Sequence, residues 1–355
     1  MKNVAKVLAA GICVFAVNIP AGFCQGDDYL TPRGAPGSEI TRMKTLNQVE
    51  PRQVISSLPY SITNPGSYYL AASVKGVAAS NGITISSDDV KLDLNGFAIN
   101  GAPNSLNGIE VTPPVRHNIT IRNGVVRGWD RYGIQATNAQ DCTLESIKAY
   151  MNGYMGIAIG DNSLLTDCLA YGNGSKFVPA PPNMPEDDGM HVGVYSTVKD
   201  CKSRNNRGAG IYACTGSRIN SCTASQNGAN GVFAEDYCTV SDCTVAGNQR
   251  GGITLMSKCR VIGNTSCDNT NSMDHQGSGI LVAGSNNRIE NNNVAGNDFG
   301  INVLPTSSNN LVTCNSASGN AIGSYQMSQG DRMGQVVTPA SGMFSNSNPW
   351  ANFVF

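Results

Sequence analysis

The chain has 355 residues, with 24 Lys and Arg against 25 Asp and Glu for a net charge of −1. No basic stripe appears, which argues against nucleic acid as a partner. Past residue 19 no apolar run approaches membrane-spanning length, so no transmembrane segment is expected in the mature chain. The N-terminus reads as a secretory signal over residues 1–24. Lys2 and Lys6 supply the positive region and Val7–Val17 (VLAAGICVFAV) the apolar one. Pro20, Ala21 and Gly22 supply a break and small residues, so cleavage is expected near residues 22–26. The expected location is therefore secreted, periplasmic or at the cell surface. Lipidation at Cys24 is disfavoured because Phe23 is large for the residue before a lipidated cysteine.

Residues 25–59 form a Pro-rich, irregular lead-in, within which Met43–Leu58 is expected to cover an open N-terminal edge of the β structure. From residue 60 to 328 the chain is read as a series of β coils. Tyr60–Val74 is the first, with a turn at Asn64-Pro65-Gly66, and Asn81–Leu106, Asn107–Tyr132 and Gly133–Met155 come next. VKLDLNGFAI alternates with period two, as a half-buried strand does. Gly189–Gly252 holds three back-to-back 21-residue units, GMHVGVYSTVKDCKSRNNRGA, GIYACTGSRINSCTASQNGAN and GVFAEDYCTVSDCTVAGNQRG. Residues 329–355, ending NPWANFVF, are read as a C-terminal capping tail.

Self-similarity at this period marks a solenoid. Short β-type runs separated by Asn, Gly and Ser, with no sustained 3.6-residue apolar stripe, exclude helical repeats and fit coils of three short strands. Coils stacked about 4.8 Å apart align equivalent residues into columns. The sequence resembles the right-handed parallel β-helix family, the pectate-lyase-like superfold, over roughly Asn81–Ser328. The expected fold is thus all-β, a single-stranded right-handed parallel β-helix of about ten coils. MKTLNQVEPRQVIS, ITNPGSYYL, KLDLNGFAI and NPWANF also resemble a group of secreted bacterial β-helix proteins of unassigned activity.

The period sets up three columns. Ile157, Met190, Ile211, Val232, Ile253, Ile280 and Ile301 form an apolar column assigned to the core. Asn173, Asn206, Asn227, Asn248 and Asn269 form a second, expected to bond one another along the solenoid rather than hold a ligand. Cys168, Cys201, Cys222 and Cys243 form a third, and Cys238 and Cys259 share another. A stack of buried thiols is the first reading of these cysteines, with disulfides between adjacent coils as the alternative. No CxxC pair occurs, so a zinc cluster is not expected.

Two insertions interrupt the period, Ser175–Glu186 and Thr270–His275. Both fall between the column Asn and the next opening Gly, so they are expected to wall one corner about four coils apart, roughly 19 Å. Between them His191, Tyr212, Phe233 and Thr254 are expected to point outward, where His191, Tyr212 and Phe233 would form a stacking surface for sugar rings. Glu186, Asp187, Asp188, Asp274, His275, Arg207, Arg250, Glu235 and Asp236 gather near that corner. The family resemblance implies polysaccharide lyases, hydrolases or uronate epimerases as the enzyme classes to consider. Such chemistry needs paired carboxyls, or a base with a cation or Ca²⁺. Asp187, Asp188, His191 and Arg207 are the candidate catalytic residues, and Tyr212, Phe233 and Asp236 the candidate substrate-binding ones. No residue is assigned to a resident metal, and Ca²⁺ is the one cofactor considered. The pectate-lyase calcium site and the Asp-Pro-His element of the epimerases are not intact; Asp188-Gly189-Met190-His191 is the nearest match to the latter. The expectation is a monomeric protein that binds or processes a polysaccharide or surface glycan in a groove between the two loops. The competing reading is a non-catalytic exported structural or surface solenoid. A periplasmic metal-loading role is disfavoured by three histidines and the lack of a clustered Met/His motif.

Overall fold

A coil this short cannot bury a face alone, so each one is stable only against its neighbours. The computed structural model of the chain describes residues 52–175, 187–271, 277–338 and 347–355, all within one unit, Arg52–Phe355. Every strand pair is parallel: one sheet has 24 strands and another 12, with a small two-stranded pairing beside them. A standard coil contributes three short strands, as in Ile211–Ala213, Arg218–Asn220 and Thr223–Ser225. The last two merge into one sheet because Thr120–Arg127 and Thr143–Tyr150 run unbroken around the corner between them. This is the expected parallel β-helix. Among the described residues no helix is long and apolar enough to cross a membrane.

The apolar column is in register. Ile157, Met190, Ile211, Val232, Ile253, Ile280 and Ile301 pair coil to coil, and all are fully buried. The solenoid runs further than residues 60–328 at both ends. Arg52–Ile55 is already a parallel strand on Gly66–Leu70, and Asn352–Val354 pairs with Ser316–Ser318. The 12-stranded sheet supplies the rungs between, from Tyr60–Ile62 to Gly323–Gln326. The segment expected to cap the C-terminal end adds a strand of its own, while Trp350 stays exposed.

Each corner is turned the same way. A residue with positive φ, such as Asn205, Gln226 or Asp268, is followed by a small polar side chain aimed inward. At one corner these are Asn152, Asn173, Asn206, Asn227, Asn248, Asn269, Asn297 and Asn320. The Asn227 N–H and Nδ2 both donate to Asn248 Oδ1, at 3.0 and 2.9 Å, and Nδ2 also reaches Ser203 O at 3.3 Å. The fully buried Trp129 closes the N-terminal end of this ladder, its N–H donating to Asn152 Oδ1 at 3.1 Å.

At the second corner the cysteine stack gives way to the same device. The Cys222 N–H donates to Cys243 Sγ at 3.5 Å, the Cys243 N–H to Asn264 Oδ1 at 2.9 Å, and Asn264, Asn292, Asn315 and Asn352 continue it. The third corner runs through Ser163, Ser196 and Ser217, then Cys238, Cys259, Asn287 and Asn310. All ten cysteines among the described residues are free thiols, most of them buried. Ser, Cys and Asn interchange here because each fits the small space inside a corner and offers an acceptor to the N–H of the coil before it.

The ladder also accounts for the opening glycines. Gly210 needs no positive φ, but a Cβ there would lie 2.6 Å from both Asn227 Nδ2 and Gly231 O. The recurring spacing of Gly and Asn within the repeat therefore reflects one contact. Replacing Asn227 by Ala would leave the Asn206 N–H without its acceptor and take one of three from its Nδ2. We expect urea titration of the Asn227→Ala variant to show a loss of about 3 kcal/mol in unfolding free energy. A loss within experimental error of zero would show that the ladder does not hold the corner.

Candidate functional site

The outer row of the 12-stranded sheet reads Ser61, Thr84, Glu110, Gln135, Ala158, His191, Tyr212, Phe233, Thr254, Leu281, Asn302 and Gln326 in register. Three consecutive rings occur once in it. His191 and Tyr212 stack at 4.7 Å with 10° between planes, and Tyr212 and Phe233 at 4.8 Å with 15°. All three are half-buried. They point outward as expected, but their faces meet one another. The ends of the stack pair with Ala158 and Thr254, both buried. The ring edges, carrying His191 Nε2 and the Tyr212 hydroxyl, face away from the sheet.

Asp188 stands behind His191. Its side chain is 1% exposed, and His191 Nδ1 lies 3.7 Å from its Oδ2. Oδ1 accepts the Ala209 N–H at 2.7 Å, whereas Oδ2 and His191 Nδ1 are buried with no hydrogen-bond partner. Burial holds the Asp188 carboxyl above the ordinary carboxylate range, with the facing His191 and the Ala209 N–H pulling the other way. On the far side of the imidazole, Cys214 Sγ lies 3.7 Å from Nε2. Burial first, then the charges of Glu235 and Asp161, push that thiol up to about 12. The thiol therefore keeps its proton near neutral pH. The Tyr212 hydroxyl donates to Glu235 Oε1 at 2.9 Å, while Glu235 Oε2 accepts the Thr215 N–H and hydroxyl at 3.0 and 3.1 Å. Burial and Glu235 raise the Tyr212 phenol, so it too keeps its proton.

The remaining sequence candidates lie apart from this cluster. Asp187 pairs with Arg207 at 3.5 Å on the Asn corner, and Arg207 borders a shallow polar depression of about 620 Å³ with Asn205, Gln226 and Gln249. Asp236 caps a turn, its Oδ1 accepting the Ser257 N–H at 2.8 Å. Glu186, Asp274 and His275 lie outside the described residues, as do the bodies of both insertions. The described necks of both insertions come directly after the Asn column, and Asp298 Oδ2 ties the second by accepting the Asn271 and Gly277 N–H groups, each at 2.9 Å. Cys214 was not among the candidates; its one sequence signal is that it sits off both cysteine columns. Among the described residues no three His, Cys, Asp or Glu side chains gather closely enough to hold a metal ion.

The cluster can hold and move protons. Asp188 and His191 share a buried edge, His191 Nε2 faces a thiol, and Tyr212 offers a hydroxyl backed by a carboxylate. The family described as right handed beta helix region matches residues 74–271 and, overlapping, 235–338. This chain belongs to the right-handed β-helix family. No curated protein matches it. Among solved structures, this β-helix protein is similar to the A-module of the mannuronan C-5 epimerase AlgE6 of Azotobacter vinelandii. That similarity has a TM-score of 0.61 at 15% identity, covering 85% of this chain and 88% of the other. It is also similar to the Dettilon tailspike protein, with a TM-score of 0.54, 16% identity, and 85% and 61% coverage. At these identities the likeness is one of fold.

A carboxyl whose proton is held more tightly in the folded than in the unfolded chain lowers stability as pH rises above its ordinary value of 3.8. Asp188→Asn keeps an acceptor for Ala209 and removes that titration. We expect the variant to melt above the wild type at pH 7 and to match it below about pH 3, where both side chains are neutral. Thermal melts across that range check it; parallel curves at all pH values would refute the assignment.

Proposed function

We propose that this β-helix protein binds a polysaccharide along the outer row of the 12-stranded sheet and carries out proton transfer on it at His191. The observation behind this reading is the buried carboxyl at Asp188. The equivalent positions one and three coils on are Ala209 and Gly251, so the corner needs no charge there. A buried, half-partnered carboxyl costs stability, and its unpartnered oxygen faces His191 Nδ1 at 3.7 Å. Perturbed titratable groups of this kind concentrate at functional sites.

Asp188 fixes the orientation of His191, whose Nε2 exchanges a proton with the reacting centre once Cys214 yields that nitrogen. Tyr212, held by Glu235, is the donor one coil further on. Phe233 offers its edge to the apolar side of a sugar. The rung spacing of about 4.8 Å sets successive groups at the repeat of a chain molecule lying along the solenoid. Proteins of similar fold include a mannuronan epimerase and an α-1,3-glucanase, the latter with a TM-score of 0.50 at 11% identity, which supports carbohydrate as the partner class. Export by the N-terminal signal brings the protein to where such polymers occur, and the solenoid acts as a monomer. Proton abstraction beside a sugar carboxylate, as in a lyase or epimerase, suits a His base with a Tyr donor better than hydrolysis does.

A non-catalytic surface solenoid is the second reading. It is favoured by the ring stack, whose faces are spent on internal contact, and by the thiol occupying His191 Nε2.

A glycan array and a depolymerisation screen on the exported chain, with and without Ca²⁺, separate the two. The expected result is turnover of one polysaccharide, reduced at least about 100-fold by His191→Ala. Binding to no glycan at all would overturn the proposal and leave the structural solenoid.

A further inference from the structure

A second aromatic ladder lies on a different face, away from His191. The row Arg127, Tyr150, Tyr171 and Arg204 is in register over four consecutive coils. Tyr150 and Tyr171 stack at 4.5 Å with 12° between planes. The Arg127 guanidinium lies over the Tyr150 ring at 5.7 Å, and that of Arg204 over the Tyr171 ring at 5.0 Å. The ladder is thus capped by a cation at each end. One inward residue away on the same face, the next row carries Lys148, Leu169 and Lys202. Arg127, Lys148, Lys202 and Arg204 are all exposed.

These cations have no carboxylate partner among the described residues. Arg127 donates to neutral oxygens, Asn100 Oδ1 at 2.7 Å and the Tyr150 hydroxyl at 2.6 Å. Arg204 has its stacking contact with Tyr171. The nearest acids in sequence are Asp130 to Arg127, Glu145 to Lys148 and Asp200 to Lys202 and Arg204, and Asp200 is paired with Lys199 at 3.5 Å. On later coils both rows change to short uncharged side chains, Ser225, Ala246, Thr223 and Thr244. Four cations left uncompensated on one face of a chain of net charge −1 make a local positive field. The stacked tyrosines hold two guanidiniums at fixed positions and so reduce the entropy lost when an anion is gripped.

We infer that this face binds an anionic polysaccharide, its carboxylate or sulfate groups held by Arg204, Lys202, Lys148 and Arg127 as the chain crosses the coils. Neutral sugars lack the charge to engage it, and the face is separate from the proton-transfer cluster. Only the choice of polysaccharide over other polyanions rests on the proposed function. The ladder thus adds a substrate class, acidic glycans, and a second holding surface outside the reacting site.

The test is binding of the full chain to polygalacturonate, heparin, neutral dextran and single-stranded DNA at low and at physiological salt. The variants are Lys202→Ala/Arg204→Ala and His191→Ala, with a thermal melt of each. The expected result is binding to polygalacturonate or heparin that weakens with salt, none to dextran, and at least about tenfold weaker binding in the double variant at unchanged melting temperature. Turnover is followed in His191→Ala and acidic-glycan binding in the double variant, so loss of turnover and loss of the holding surface are read separately. Which polymer binds more tightly tells carboxylate from sulfate recognition. Wild-type binding to neither acidic glycan, binding unchanged in the double variant, or equal affinity for DNA would each overturn the inference.

Discussion

The hydrogen bond from one coil's corner to the amide oxygen of the next sets the terms for the rest of the molecule. A buried backbone N–H at a turn has to find an acceptor, and in this solenoid the acceptor is supplied from the following coil, as when Asn248 Oδ1 serves both donors of Asn227. That requirement places an inward Asn, Ser or Cys at each corner and a left-handed residue before it. It also explains glycine at the opening position, where Gly231 O and Asn227 Nδ2 leave no space for a Cβ at Gly210. In the regular stretch it recurs at every 21 residues, as from Asn206 to Asn227 and from Asn227 to Asn248. The two insertions enter between the Asn and the next Gly, once the corner has been closed.

What could be read from the chain was whatever recurs with that constraint. The apolar column, the Asn column and the unpaired thiol stacks are all periodic, and the structure has each of them in place. Of the third corner only Cys238 and Cys259 stood out as a column, because it mixes them with Ser163, Ser217 and Asn287, which share a size and an acceptor but not a residue type. The two ends escaped for a different reason. Arg52–Ile55 and Asn352–Val354 lie at the margins of the stack, so little in their sequences reports the shared register. Asn352 is nevertheless fully buried and continues the second corner's ladder.

The candidate site was legible as a row and not as a network. Placing His191, Tyr212 and Phe233 outward required only alternation along a strand. Their mutual stacking, the thiol of Cys214 against His191, and Glu235 beneath Tyr212 depend on which rotamers neighbouring coils permit, and no spacing rule carries that. The proximity of Asp187 and Asp188 in sequence was misleading for the same reason. One turns to Arg207 on the corner and the other is enclosed behind His191, so adjacent carboxylates end in different environments.

The corner ladders all point one way. In each, the donors of an earlier coil reach for a side-chain acceptor of a later one, as Asn206 does to Asn227 and Asn269 to Asn297. A solenoid built this way is a vector, with a head that offers acceptors and a growing end that waits for them. A chain laid down from its N-terminus leaves buried donors unanswered at all three corners until the next coil arrives. Growth coil by coil is therefore driven forward by the same groups that later hold the finished stack, and any halt part-way leaves an end that calls for more chain.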